Sequence, residues 1–259
     1  MVRGVARPLR VFPDLDRASA AVAERVAAAA REAVAARGRF RLVLSGGRTP
    51  LGLFERWART PTSLPWPRTD VYFADERAVP PTDPASNFGA AWSALLSRVP
   101  IDRHRVHRLR GEVRPLVEAA RRYERRLRAV DGGADAPTFD LTLLGIGPDG
   151  HTASLFPGQP SVRERRRWVV AVPRAGLPPL VPRLTMTAPA LSATRAAVFL
   201  VAGADKTTAL AGTLASAEGG DRRWPATLVR PRRPAEWYVD RSAAAGLSTS
   251  ATRLRPRAR

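Results

Sequence analysis

Apolar residues along the chain gather in short runs, separated by longer stretches in which they recur at helical spacing. The runs Leu9–Phe12, Phe40–Leu44, 70–74, 141–144, 168–172 and 197–202 have the length and composition of buried strands. Between them, 16–38, 51–58, 90–97, Leu116–Val130 and segments beginning near Pro189 and Thr207 carry helical spacing. The first helix is alanine-rich, has a candidate cap at Asp14 or Asp16, and stops at Gly38. Residues 225–229 and 236–239 are predicted to be short final strands, and 61–67, 80–86, 131–137 and 173–182 to be loops. Strands alternating with helices predict an α/β fold: one doubly wound, mostly parallel sheet flanked by helices, Rossmann-like, over residues 1–241. The Arg/Ala/Ser-rich tail 242–259 falls outside that domain and is predicted to be disordered beyond Leu247.

Polar residues follow several of these strands directly, where open α/β sheets bind ligands. Ser45-Gly46-Gly47-Arg48-Thr49-Pro50 joins a strand to a helix. That arrangement directs backbone N–H groups and a helix dipole at an anion, and the two glycines allow close approach. The loop lacks the Gly-Lys-Ser/Thr ending of a Walker loop. Asp75-Glu76-Arg77 follows the third strand, and a proline-rich connection leads from it to Asn87. The strand at 141–144 runs into Gly145-Ile-Gly147-Pro148-Asp149-Gly150-His151, so an imidazole, the side chain that titrates nearest neutrality, sits just past a tight turn. Gly145, Gly147 and Gly150 have the spacing of a dinucleotide fingerprint. However, Pro148 interrupts the turn, and no acid lies about 20 residues further on. Gly203-Ala-Asp205-Lys206 ends the strand at 197–202.

Composition narrows the choices. The chain has no cysteine, which removes thiolate nucleophiles, thiolate metal sites and disulfides. His104 and His107 share a spacing of three, with no carboxylate at metal-ligand spacing; they read as surface residues near a strand start, and no metal is expected. The net charge of +20 suggests nucleic acid. Yet Lys206 is the only lysine, so 42 of the 43 basic residues are arginines, scattered and without a DNA- or RNA-binding motif. No specific nucleic-acid partner is expected, although a positive field favours an anionic metabolite. In a chain so biased to arginine, a retained lysine marks Lys206 as a candidate phosphate or substrate contact. No 18-residue apolar run is present and MVRGVARPLR lacks a signal-peptide core, so neither a membrane nor a leader is expected, and the predicted compartment is the cytoplasm.

Five motifs in order, LSGGRTP, FADERAVPPTDPASNFG, LLGIGPDGHTASLFPG, PRLTMTAPAL and FLVAGADK, resemble the 6-phosphogluconolactonases of the glucosamine-6-phosphate isomerase-like superfamily, over roughly residues 10–241. In the sister deaminases the histidine is followed by Ile-Ala-Phe-Asn-Glu-Pro; here Thr152-Ala-Ser-Leu-Phe-Pro157 follows it, which looks like the lactonase form. Arg48 and Met186 depart from the commoner residues.

The resemblance implies hydrolysis of 6-phospho-D-glucono-1,5-lactone by a monomer, in the oxidative pentose phosphate pathway and without a cofactor. His151 would be the general base and Asp149 its orienting partner. Phosphate would be held by Ser45, Gly46, Gly47, Arg48 and Thr49, with Arg183 and Lys206 as charged contacts. Asp75, Arg77 and Asn87 would meet sugar hydroxyls or shape the pocket, and N–H groups of the glycine turn would stabilise an oxyanion. A serine hydrolase is disfavoured because Ser45 lies in Leu-Ser-Gly-Gly, not Gly-x-Ser-x-Gly. Two alternatives remain, a deaminase-like isomerase and a sugar-phosphate sensor without turnover.

Overall fold

The computed structural model describes residues 8–130, 138–216 and 220–247; the loop expected at 131–137 and the tail beyond Leu247 lie outside the described residues. The alanine-rich stretch forms α1 (Leu15–Arg37), and the Asp14 carboxylate caps it by accepting the Arg17 N–H at 2.8 Å. Gly38 ends it at φ 73°, a left-handed conformation that costs glycine little, with its N–H bonded to the Val34 carbonyl. Ala18, Val22, Val26, Ala30 and Ala33 are fully buried along one stripe. Their small side chains let the helix lie close over the sheet.

Seven parallel strands make that sheet: β1 (Leu9–Phe12), β2 (Phe40–Leu44), β3 (Thr69–Phe73), β5 (Val106–His107), β6 (Phe139–Leu144), β9 (Thr194–Val201) and β10 (Glu236–Asp240). Their order is β1-β10-β9-β6-β2-β3-β5. From β2 the chain winds outward through β3 to β5; from β6 it winds the other way through β9 to β10. The reversal falls between β2 and β6, paired in register Leu42 with Leu141 and Val43 with Thr142. A crevice is expected beyond their carboxyl ends, because the following loops diverge there. All six residues of β6 are buried, Asp140 and Thr142 included, as expected for a central parallel strand.

A second, antiparallel sheet stands beside the first, made of β4 (Asp75–Arg77), β7 (Val169–Val172) and β8 (Arg183–Met186) in the order β4-β8-β7. The strand read at 168–172 therefore belongs here and not to the parallel sheet. Ala74 is the hand-over: its N–H bonds the Leu44 carbonyl in the parallel sheet, and its carbonyl accepts from Met186 in the antiparallel one, each at 2.8 Å.

The remaining helices are α2 (Leu51–Arg59), α3 (Asn87–Ala91), α4 (Leu116–Val130), α5 (Ala188–Ser192) and α6 (Thr207–Ala215). A single π-helical turn, Trp92–Leu96, continues α3. Two expectations are corrected. Residues 225–228 form a 3-10 turn and not a strand, because the Thr227 hydroxyl holds the carbonyls of Asp221 and Trp224 and closes the chain on itself. Residues 242–247 remain with the domain: Ala243–Gly246 is a 3-10 turn whose Ala243 is fully buried, with its N–H on Asp240. Among the described residues no helix is long and apolar enough to cross a membrane.

Candidate active site

A cleft of about 550 Å³ opens at the β2/β6 reversal. The loop after β2 forms one wall. None of the N–H groups of Gly46, Gly47, Arg48 and Thr49 has an acceptor among the described residues, and Pro50 provides no side-chain cap for α2. Four unused donors at the start of a helix are an arrangement that can bind an anion. A Cβ on Gly46 would collide with the Asn87 amide, so glycine is required there by close packing.

The turn after β6 forms the opposite wall. Gly150, at φ 80°, reverses the chain, and the Gly147 N–H bonds the His151 carbonyl at 2.8 Å. This folds His151 back over Gly147, where a Cβ would strike the imidazole. The ring also lies against Phe156, with centroids 4.6 Å apart. His151 Nδ1 is 2.6 Å from Asp149 Oδ1, which accepts the His151 backbone N–H as well. Burial pushes the Asp149 carboxyl up, but the hydrogen bond and charge of His151 with the backbone N–H groups outweigh it and hold it below the usual carboxylate range. An ionised Asp149 accepts Nδ1–H and leaves Nε2 as the basic nitrogen. The turn uses the N–H groups of Gly147, Gly150 and His151 for its own bonds, so these three are not free to face an oxyanion.

Asp75 and Asn87 form the floor. Asn87 Nδ2 donates to the Asp75 carbonyl at 3.0 Å and to Asp75 Oδ1 at 3.1 Å, and Ser154 Oγ donates to Asp75 Oδ2 at 2.6 Å. Beside them Glu76, almost fully buried, accepts the backbone N–H groups of Arg77, Asn87 and Phe88 and the Ser86 hydroxyl. Burial pushes its carboxyl above the usual range against the pull of those N–H groups. Glu76 thus fixes the entry to α3 and the position of Asn87.

Two cationic side chains complete the cleft. Lys206 reaches it from the turn before α6, paired with Asp205 at 2.8 Å. Arg183, in β8 opposite Arg77, is nearly buried. Its Nε donates to the Val181 carbonyl at 3.1 Å and its Nη2 to the Pro179 carbonyl at 2.7 Å. Burial lowers its pKa, with Asp75 opposing and Arg77 adding to the effect. Arg183 therefore holds the proline-rich strap 173–182 over the cleft, a task the sequence did not suggest. Arg77 is likewise tied down, through the Ala85 carbonyl.

Every residue singled out from the sequence lines this cleft except Asp149, which stands behind the imidazole. Thr152 also lines it, with a buried hydroxyl lacking a partner among the described residues, and had not been singled out. Nor had Glu76 or Ser154 been given a task; Ser86 at the α3 N-cap is the sequence signal that could have flagged the helix entry. His107 is corrected: it is buried in β5, with Nε2 3.2 Å from Asp70, Nδ1 accepting from Arg126 at 3.0 Å, and its ring stacked on Tyr72. His104 is exposed, as expected.

Residues 13–238 match the family model described as glucosamine-6-phosphate isomerases/6-phosphogluconolactonase. The 6-phosphogluconolactonase of Streptomyces coelicolor is 38% identical over 251 residues, covering 93% of this chain and 95% of that protein. The crystal structure of 6-phosphogluconolactonase from Thermotoga maritima superimposes with a TM-score of 0.79 at 31% identity, over 90% of this chain and 99% of that one. A monomeric glucosamine-6-phosphate deaminase has a TM-score of 0.78 at 21% identity, over 92% and 99% of the two chains, a likeness of fold alone.

Proposed function

The chain belongs to the glucosamine-6-phosphate isomerase/6-phosphogluconolactonase family, and from that premise we propose that it hydrolyses 6-phospho-D-glucono-1,5-lactone to 6-phosphogluconate. The observation that carries this reading is the Asp149–His151 pair facing, across one cleft, a loop with four unused backbone donors. That geometry suits an anionic substrate whose reactive carbon is attacked by water. The phosphate sits on the Gly46–Thr49 donors with Arg48 and Lys206 beside it. His151 Nε2 takes a proton from water as the oxygen bonds to C1. When the tetrahedral centre collapses, the C1–ring oxygen bond breaks and the imidazolium returns the proton to that oxygen. Asp149 holds the tautomer and stabilises the imidazolium. A lactone carbonyl is activated enough for this without a covalent nucleophile, and general acid/base catalysis supplies about 10²–10⁴-fold.

A monomer is taken as the working unit. We place the reaction in the oxidative pentose phosphate pathway of the cytoplasm. Thr152 in place of the deaminase isoleucine supports the lactonase over the deaminase reading.

The test is proton release from freshly generated lactone, as excess over its spontaneous hydrolysis, for the protein and for His151→Ala. The expected result is a fast excess in the first and its loss in the second, with 6-phosphogluconate still bound. An excess that survives in the variant removes His151 from its task. No excess in either, with binding retained, makes the protein a sensor.

A further inference from the structure

A second and larger cleft, of about 920 Å³, lies on the other side of α3. The two clefts share that helix: Asn87 faces the candidate active site, while the next residue, Phe88, lines the second cleft. Its walls are aromatic, with Phe88 and Trp92 centroids 5.8 Å apart. Guanidinium groups lie over both rings, Arg103 5.1 Å from the centroid of Trp92 and Arg108 5.3 Å from that of Phe88. Pro81 closes one rim so tightly that a Cβ on Gly89 would collide with its carbonyl.

The charges here are not balanced. Arg108 and Arg110 share Glu112, at 2.7 and 3.3 Å. Neither Arg103 nor Arg126 has a carboxylate within ion-pair distance among the described residues. Arg126 instead donates Nε to His107 Nδ1 at 3.0 Å and lines the cleft. Among the described residues Asp83 is the one acid in the lining, and its carboxylate accepts the Ala85 N–H of its own loop at 2.8 Å. The opening is wide enough for a small organic ligand. Arginines backed by aromatic rings combine two kinds of recognition, since guanidinium groups clamp phosphate while indole and guanidinium planes stack on a base.

We propose that this second cleft is a binding site for a phosphorylated nucleotide, with Arg103 and Arg126 on the phosphates and the base stacked against the Arg108 guanidinium that covers Phe88. The site is independent of the lactone cleft and does not rest on the activity proposed above. It also gives a place to some of the positive charge that the first cleft does not use.

The test is titration calorimetry of the full chain with ADP, and with pyrophosphate, at physiological salt. ADP is expected to bind at one site and about tenfold or more tighter than pyrophosphate, the increment typical of base stacking. Arg103→Glu and Arg126→Glu, both exposed, should each weaken ADP at least about tenfold at a melting temperature close to the parent's, the loss of one charge-assisted contact. Lys206→Ala, in the other cleft, should leave ADP binding unchanged. Four outcomes overturn the proposal: no ADP binding, equal binding of ADP and pyrophosphate, insensitivity to both charge reversals, or loss of ADP in Lys206→Ala. Tighter binding of a single-stranded oligothymidylate than of ADP would also overturn it, in favour of a nucleic-acid groove.

Discussion

Ser154 Oγ donates to Asp75 Oδ2 at 2.6 Å, joining the loop after β6 to the strand that leaves β3. Those two segments come from opposite halves of the sheet, and Asp75's other oxygen is held by Asn87. With one side-chain donor on each oxygen, Asp75 ties the walls of the cleft together, and its remaining lone pairs can still accept from a sugar hydroxyl. Ser154 is fully buried, so no water replaces the lost hydroxyl without rearrangement. Ser154→Ala is expected to lower stability by about 1.5–3 kcal/mol, the range for a hydrogen bond to a charged group. It should appear as a lower denaturant midpoint at unchanged slope. A shift below about 0.5 kcal/mol, an ordinary surface effect, would show that the tie contributes little.

The Asp149–His151 pair makes a prediction with a defined sign. Asp149 titrates below the usual carboxylate range in the folded chain. Its contribution to stability is therefore present above the unfolded value, about 3.9, and is lost as pH falls through the lower folded value. Asp149→Asn should melt below the parent protein at pH 7, and the gap should close as pH drops below about 4. A gap constant from pH 3 to 7 would contradict the pairing. In the same variant kcat should fall by more than about tenfold, but by no more than the about 10²–10⁴-fold expected for His151→Ala.

Glu76 receives four donors on two oxygens. A glutamine has one carbonyl oxygen and sets an NH₂ group against two of those donors. Glu76→Gln should thus cost about 1–3 kcal/mol for each donor left unpaired. Because the same bonds set the entry to α3, KM should rise together with the loss of stability. Parent-like unfolding of Glu76→Gln would show that the cap adapts.

The central strand, the glycine loops and the helix caps were legible in the sequence because local chemistry decides them. Phe40–Leu44 is an apolar run closed by Ser45-Gly46-Gly47, and Gly38 ends a helix by its own backbone freedom. What escaped notice depends on partners distant in the chain. Of the second sheet only the strand at 168–172 was legible; β4 and β8, of three and four residues, are too short for a periodic signal, and β8 buries an arginine. His107 looked exposed among arginines, but Asp70, 37 residues away, supplies the hydrogen bond that lets it be buried. Ser154 and Thr152 read as small filler between the turn and Phe156, and only the fold brings Asp75 to the first and the cleft to the second.

Arg183 and Lys206 were given the same task from the sequence, and the structure separates them. Among the described residues Lys206 bonds only Asp205, an exposed side chain, which leaves its ammonium able to meet an incoming phosphate. Arg183 uses Nε and Nη2 on carbonyls of the strap that carries Leu177, Pro178 and Pro179 to the cleft wall. Lys206→Ala should therefore raise KM with kcat and the melting temperature nearly unchanged, since it removes binding felt equally by substrate and transition state. Arg183→Ala should lower the melting temperature and kcat as well as raise KM, because the freed carbonyls and a loosened strap disturb the geometry around His151. Arg183→Lys distinguishes shape from charge: an ammonium keeps the charge but not the planar fork that spans two carbonyls. It should behave like the alanine variant if the strap is what matters, and like the parent protein if the cleft needs only a positive charge. Matching steady-state and melting profiles for Arg183→Lys and the parent would overturn the assignment.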